Sequence, residues 1–187
     1  MPRIVSGSLR GINLQTPAGK DTRPTSDRAK EALFSILGAD IYGARVLDLF
    51  AGSGQIALEA LSRGAAGAVL CETDRDALKA LFSNIEKTRT SDQVRVYTYD
   101  AVKLLKKLVK NNFNFDFIYL DPPWQALPSL LEKIKNDLPA LLTPAGVIVV
   151  ESEQKQAIPA NLGGDLLLSR SCTYGASMLS FYYHEKD

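Results

Sequence analysis

Five apolar runs, at 45–50, 67–72, 93–99, 115–120 and 145–151, alternate along the chain with helix-patterned stretches near 55–63, 74–88, 100–110 and 127–142. Strands that are each followed by a helix long enough to cross back over a sheet build right-handed βαβ units, and so a mostly parallel sheet with helices on both faces. The last two runs, 165–173 and 177–183, have no helix between them and read as an antiparallel hairpin at the sheet's edge. The expected architecture is an α/β, Rossmann-like domain. At 187 residues, 45% hydrophobic and 23% charged, the chain supplies one substantial core and leaves no room for a second full domain.

One strand end carries a glycine-rich loop. Val46 to Phe50 runs into Ala51-Gly52-Ser53-Gly54 and then into the helix-like Gln55 to Leu61, and glycines at such a turn let the backbone come close to a ligand. The pattern from Gly52 through Gly54 to Ala57 is a nucleotide-binding fingerprint of low specificity by itself. Glu72 ends the next apolar run, twenty residues beyond Gly52, where an acid accepts hydrogen bonds from ribose hydroxyls. Asp48 discriminates between nucleosides. An acid just upstream of the glycines repels a pyrophosphate but attracts the sulfonium and ammonium of S-adenosylmethionine. Asp100 is placed to accept from an adenine amine, with the Ala101 N–H beside it, and also to cap the helix that follows. The expected cofactor is therefore S-adenosylmethionine, with Asp48, Phe50, Gly52, Ser53, Gly54, Glu72, Thr73, Asp100 and Ala101 as its candidate site.

A second strand end, Phe117-Ile118-Tyr119-Leu120, leads into Asp121-Pro122-Pro123-Trp124. Prolines have no N–H, so this turn presents carbonyl oxygens without competing donors, next to an acid and a flat aromatic ring. Such a group receives a planar amine: the Asp121 carboxylate and the Pro122 carbonyl accept its hydrogens while Trp124 stacks on the ring. The chemistry this suggests is methylation of a nucleobase amine, with Asp121, Pro122, Pro123 and Trp124 as candidate catalytic residues. A strand end closed by a plain proline turn is the simpler alternative.

Other motifs exclude more than they propose. Cys71 and Cys172 make neither a metal-ligand pattern nor a disulfide framework, and no metal is expected. The single histidine, His184, has no nucleophile motif near it, which removes triad hydrolysis. No apolar stretch approaches the length of a membrane span and the N-terminus is polar, so the expected setting is the cytoplasm. Lys103, Lys106, Lys107 and Lys110 fall on one helical face, which reads as solvated.

Charge is unevenly distributed. Residues 1–30 hold six basic and two acidic side chains, a net of +4, within a chain whose formal net charge is +1. Arg3 to Leu14 reads as two short strands around a Gly/Ser turn, and Thr25 or Ser26 as the cap of a helix through Leu37. The expected division is an RNA-facing β-hairpin extension at 1–24 and a catalytic domain at 25–187. Arg3, Arg10, Arg23, Thr25 and Arg28 are the candidate RNA-binding residues.

Several longer elements carry a resemblance: Arg3-Ile4-Val5-Ser6-Gly7 with Leu9-Arg10-Gly11, Thr22-Arg23-Pro24-Thr25 with Glu31-Ala32-Leu33-Phe34, the loop Leu47 to Gly54, Leu58-Glu59-Ala60-Leu61-Ser62-Arg63-Gly64-Ala65, and Asp121 to Trp124. Over nearly its whole length the chain resembles the RsmD family of bacterial 16S rRNA guanine-N2 methyltransferases. The two proline and glycine loops are shared by many amino-group methyltransferases, whereas the Thr-Arg-Pro-Thr and Glu-Ala-Leu-Ser-Arg-Gly-Ala elements are narrower. The resemblance implies a seven-stranded class I methyltransferase sheet, S-adenosylmethionine as donor, and as acceptor a guanine amine of 16S rRNA in a small-subunit particle; the expected oligomeric state is a monomer. The chain departs from the family pattern at Trp124, where Phe is more usual, at Ala57, where Gly is common, and at Ile12-Asn13, a stretch that is often basic. Alternatives at this stage are methylation of adenine N6 in another nucleic acid or of protein glutamine, a nicotinamide oxidoreductase, and a non-catalytic RNA-binding assembly factor.

Overall fold

The computed structural model describes residues 2–17 and 27–185. Helix α1 (Asp27–Leu37) precedes a run of β1 (Arg45–Asp48), α2 (Gln55–Ser62), β2 (Gly67–Cys71), α3 (Arg75–Thr88), β3 (Val94–Tyr97), α4 (Ala101–Lys110) and β4 (Phe115–Leu120). Then come α5 (Leu127–Ile134), α6 (Leu138–Leu141), β5 (Leu142–Glu153), β6 (Leu166–Tyr174) and β7 (Ser177–His184). Seven strands form one sheet in the order β3-β2-β1-β4-β5-β7-β6, with β1 to β5 parallel and β7 antiparallel to both neighbours. The expected α/β architecture with its C-terminal hairpin is thus the observed one, β7 sliding in beside β5 and β6 taking the edge.

Alternation along each strand assigns the two faces. Val46, Leu70, Phe117, Tyr119, Val147 and Val149 pack with α1, α2 and α3, while Leu47, Val69, Cys71, Ile118, Leu120, Ile148 and Val150 pack with α4, α5 and α6. Strands buried on both sides read as continuous apolar runs, which is why the sequence shows them so clearly.

Two element boundaries differ from expectation. The stretch 127–142 is not one helix: it breaks between Ile134 and Leu138, where Pro139 begins a short turn of its own, and β5 starts at Leu142 instead of 145. Pro139 has no N–H to bond the Lys135 carbonyl four residues back, and its ring crowds that carbonyl, so a continuous helix cannot run through this point. The N-terminal segment also pairs less than expected. It closes as an antiparallel loop on a single bridge, Arg3 with Asn13, supported by Ile4 N–H to Ile12 O at 3.0 Å and Leu14 N–H to Pro2 O at 2.8 Å. Ile4 and Leu14 are fully buried in the core beneath α1 and α2. Lys20, Arg23, Thr25, Ser26 and the division at residue 24 lie outside the described residues.

Candidate active site

Both loops singled out in the sequence leave the same edge of the sheet, from the C-terminal ends of adjacent parallel strands β1 and β4. That is where open α/β sheets form crevices for ligands. After Asp48 the chain turns tightly: the Ala51 N–H bonds the Cys71 carbonyl at 2.9 Å and the Gly54 N–H bonds the Ala51 carbonyl at 2.7 Å. Gly54 has φ +81°, and a Cβ there would sit 2.6 Å from a methyl of Leu81, so α2 must begin on a residue without a side chain. Nothing lies within 4 Å of the corresponding position on Gly52, which leaves open space against the loop.

Glu72 closes this loop from the neighbouring strand. Its carboxylate accepts the N–H groups of Gly52 at 2.8 Å, Thr73 at 2.7 Å and Asp74 at 2.8 Å. Glu72, expected to accept from ribose hydroxyls, is thus engaged by the loop's own backbone. Ser53 is fixed from the other side, where the fully buried Asn84 of α3 donates to its carbonyl at 2.9 Å and also holds both the N–H and the carbonyl of Gln15. Asp100 caps α4 by accepting the Lys103 N–H at 3.0 Å, and stays exposed enough to meet a ligand as well.

Four acids lie on one side of the sheet at this edge: Asp48, Glu72, Asp121 and Glu151. Asp48 is 1% exposed, and its burial, reinforced by Glu72 and opposed by the Phe50 N–H at 3.3 Å, pushes its carboxyl up to about 7. Desolvation, then Glu151, then Asp48 hold the Asp121 carboxyl well above the usual carboxylate range. Glu151 is buried on β5 and accepts a hydrogen bond from the Tyr119 hydroxyl. A buried carboxyl such as that of Asp48 attracts a cation strongly, because a nearby positive charge is what restores its ionised form. The donor set thus fits the sulfonium and ammonium of S-adenosylmethionine, and does not fit a pyrophosphate.

The proline turn divides its carbonyls between two jobs. Pro123 accepts the Ala126 N–H at 2.8 Å and so caps the 3-10 turn Trp124–Ala126, whereas the Pro122 carbonyl has no hydrogen-bond partner among the described residues. Trp124 is half-buried, its backbone carbonyl held by Gln156 Nε2 at 2.8 Å. Sequence reasoning passed over Glu151, Tyr119, Asn84 and Gln156. Glu151 carried a usable signal, an acid ending an apolar run one strand away from Asp121; Gln156 carried none, being a polar residue in a loop.

Of the candidate RNA-binding residues, Arg3, Arg10 and Arg28 are exposed, and Arg3 pairs with Asp27 at 3.4 Å. Lys30, counted with the basic segment, is fully buried and pairs with Glu59 at 3.5 Å. The lysines of α4 are exposed as expected, Lys107 resting on the rings of Tyr97 and Tyr99. Cys71 is buried, its thiol pushed up to about 12 by desolvation and the surrounding carboxylates, and His184 meets Asp165 far from the crevice. Among the described residues there is no cluster able to hold a metal ion, and no helix is long and apolar enough to cross a membrane.

A seven-stranded sheet with β7 inserted antiparallel, a glycine loop after β1 and an acid-proline-proline-aromatic turn after β4 define a class I methyltransferase fold. The solved structure of yhhF from Escherichia coli has the same fold, with a TM-score of 0.84 at 35% identity, covering 100% of this chain and 99% of that one. The chain matches the family described as conserved hypothetical protein 95 over residues 2–183, and it belongs to that family, which includes the RsmD enzymes. It is 38% identical over 182 residues to YlbH of Bacillus subtilis (strain 168), spanning 96% of this chain and 97% of that protein. It is also 38% identical over 159 residues to ribosomal RNA small subunit methyltransferase D of Escherichia coli (strain K12), spanning 84% of this chain and 77% of the relative.

Proposed function

We propose that the protein transfers a methyl group from S-adenosylmethionine to the exocyclic N2 amine of a guanine in 16S rRNA, acting in the cytoplasm on a small-subunit particle. The single observation that carries the reading is the meeting of the Asp121-Pro122-Pro123-Trp124 turn with a carboxyl-lined crevice at one sheet edge. The family relationship, and the small-subunit rRNA methyltransferase named among the relatives, supply the RNA class. Asp48, Glu72 and Asp100 would hold the cofactor, with Gly52, Ser53 and Gly54 beneath it, Phe50 and Thr73 beside it and the Ala101 N–H on its adenine.

When bound, S-adenosylmethionine supplies an electrophilic methyl carbon on a sulfonium. The guanine amine is a weak nucleophile because its lone pair is delocalised into the ring. Accepting its two N–H groups on the Asp121 carboxylate and the Pro122 carbonyl localises that lone pair on nitrogen. Trp124 stacks on the base and fixes its plane, and alignment of this kind contributes roughly 7–11 kcal/mol. Once nitrogen is methylated it must lose a proton. Asp121, held above the usual carboxylate range by its surroundings, is a better acceptor for that proton than an ordinary carboxylate.

The test is transfer of labelled methyl groups to small-subunit particles that lack the modification, followed by nucleoside mass spectrometry. N2-methylguanosine is the expected product. N6-methyladenosine, or no RNA product at all, would overturn the assignment.

A further inference from the structure

We infer that Glu153 and Lys155, at the end of β5, read the Watson–Crick edge of the acceptor guanine, and that Gln156 positions Trp124 to stack on it. This rests on the guanine reading above and extends it to the residues that select the base. The parallel register of Leu120 with Val150 brings the end of β5 alongside the proline turn. There a cavity of about 610 Å³ is lined by Pro123, Trp124, Gln125, Glu153, Lys155 and Gln156. Its wall includes Pro123, two residues along the turn from Asp121, and it is large enough for a base swung out of its stack.

Three features of this wall point to a ligand. Glu153 and Lys155 are exposed and form no ion pair with each other or with any other described residue, although they carry opposite charges and share one cavity. Gln156 spends its Nε2 on the Trp124 carbonyl, an assignment fixed by chemistry because a carbonyl can only accept. Its Oε1 is then a buried acceptor without a partner among the described residues, so a donor from outside would complete it.

The charges match guanine and mismatch adenine. With the N2 amine at Asp121 and Pro122, the next groups along the base edge are N1–H, a donor, and O6, an acceptor. A carboxylate suits the first and an ammonium the second. In adenine presented by its N6 amine, the adjacent N1 is an acceptor, and a carboxylate facing its lone pair is repelled.

The experiment uses the full-length protein and RNA carrying the mapped acceptor position as either guanine or 2-aminopurine, which keeps the N2 amine but lacks N1–H and O6. Wild-type protein should prefer guanine in kcat/KM by on the order of tenfold or more, the worth of a well-formed edge contact. In Glu153→Ala and Lys155→Ala that preference should collapse, through loss of the guanine rate and not through any loss of fold stability, which melting curves check. Trp124 is the only tryptophan, so its fluorescence reports Gln156 directly. Gln156→Ala should weaken the quenching seen on RNA binding and raise KM more than it lowers kcat. If both alanine variants slow guanine and 2-aminopurine equally, or quenching in Gln156→Ala equals wild type, the inference fails while the guanine assignment stands. If wild-type protein methylates no guanine, both fail.

Discussion

Asp48 shows how one side chain sets stability and ligand choice against each other. Its carboxyl is raised in the folded chain to about 7, so ionising it opposes folding. A raised carboxyl leaves stability intact below the unfolded value near 3.9 and removes it progressively as pH climbs to about 7, here by roughly 4 kcal/mol. Asp48→Asn keeps an acceptor for the Phe50 N–H and abolishes the charge. It should therefore melt higher than wild type at pH 8, with the gap closing near pH 4, while binding S-adenosylmethionine far more weakly. Asp121→Asn should behave differently. Turnover should fall by orders of magnitude with cofactor affinity close to wild type, because the residue faces the acceptor amine; calorimetry beside a methyl-transfer assay separates the two. A large fall in melting temperature would instead make Asp121 a prop for the proline turn.

Between elements, a buried hydrogen-bond network docks the N-terminal segment on α2. Glu59, fully buried, accepts the N–H groups of Val5 at 2.8 Å and Ser6 at 3.0 Å, the Arg63 guanidinium at 2.9 Å and the Lys30 ammonium. One turn on, the Ser62 hydroxyl accepts the Leu9 N–H and its carbonyl accepts the Ser8 N–H. Gly7 makes the fit possible: it has φ +84°, and a Cβ there would lie 1.8 Å from the Ser62 carbonyl oxygen. Glu59→Ala should cost about 3–5 kcal/mol, since it removes the buried counter-charge of the Lys30 ammonium and leaves two backbone donors unpaired. Gly7→Ala should release the segment, seen as early proteolytic cleavage within residues 2–14.

This joint explains what was legible in the sequence. Arg3 to Gly7 and Leu58 to Ala65 stood out as separate family elements, and they prove to be two halves of one contact. Their partnership was invisible because it spans more than fifty residues and runs through backbone N–H groups, which leave no trace in side-chain pattern. The strands were legible because burial on both faces writes continuous apolar runs. Asp48 and Asp121 were legible through the loops they precede. The pressure that Glu151 puts on Asp121 was not, since it comes from strand adjacency and not from local sequence.

At the scale of the whole molecule, charge and packing separate the surfaces. The chain is nearly neutral, yet its first thirty residues carry a net +4. Burial of Lys30 against Glu59 takes one of those charges off the surface, and Arg3 spends part of its own on Asp27, so among the described residues Arg10 and Arg28 are the exposed cations without an ion-pair partner there. If this face meets RNA, each phosphate contact removed lowers the slope of log affinity against log salt by about 0.7–0.9. Arg10→Ala and Arg28→Ala should each weaken binding of the RNA substrate and flatten its salt dependence by about that amount, with cofactor affinity unchanged. Lys103→Ala with Lys107→Ala is the matched control, because α4 packs on the opposite face of the sheet from α1, α2 and the N-terminal segment. Filter binding across a salt series decides it. A larger change in slope from the lysine pair than from the arginines would move the RNA to the α4 face.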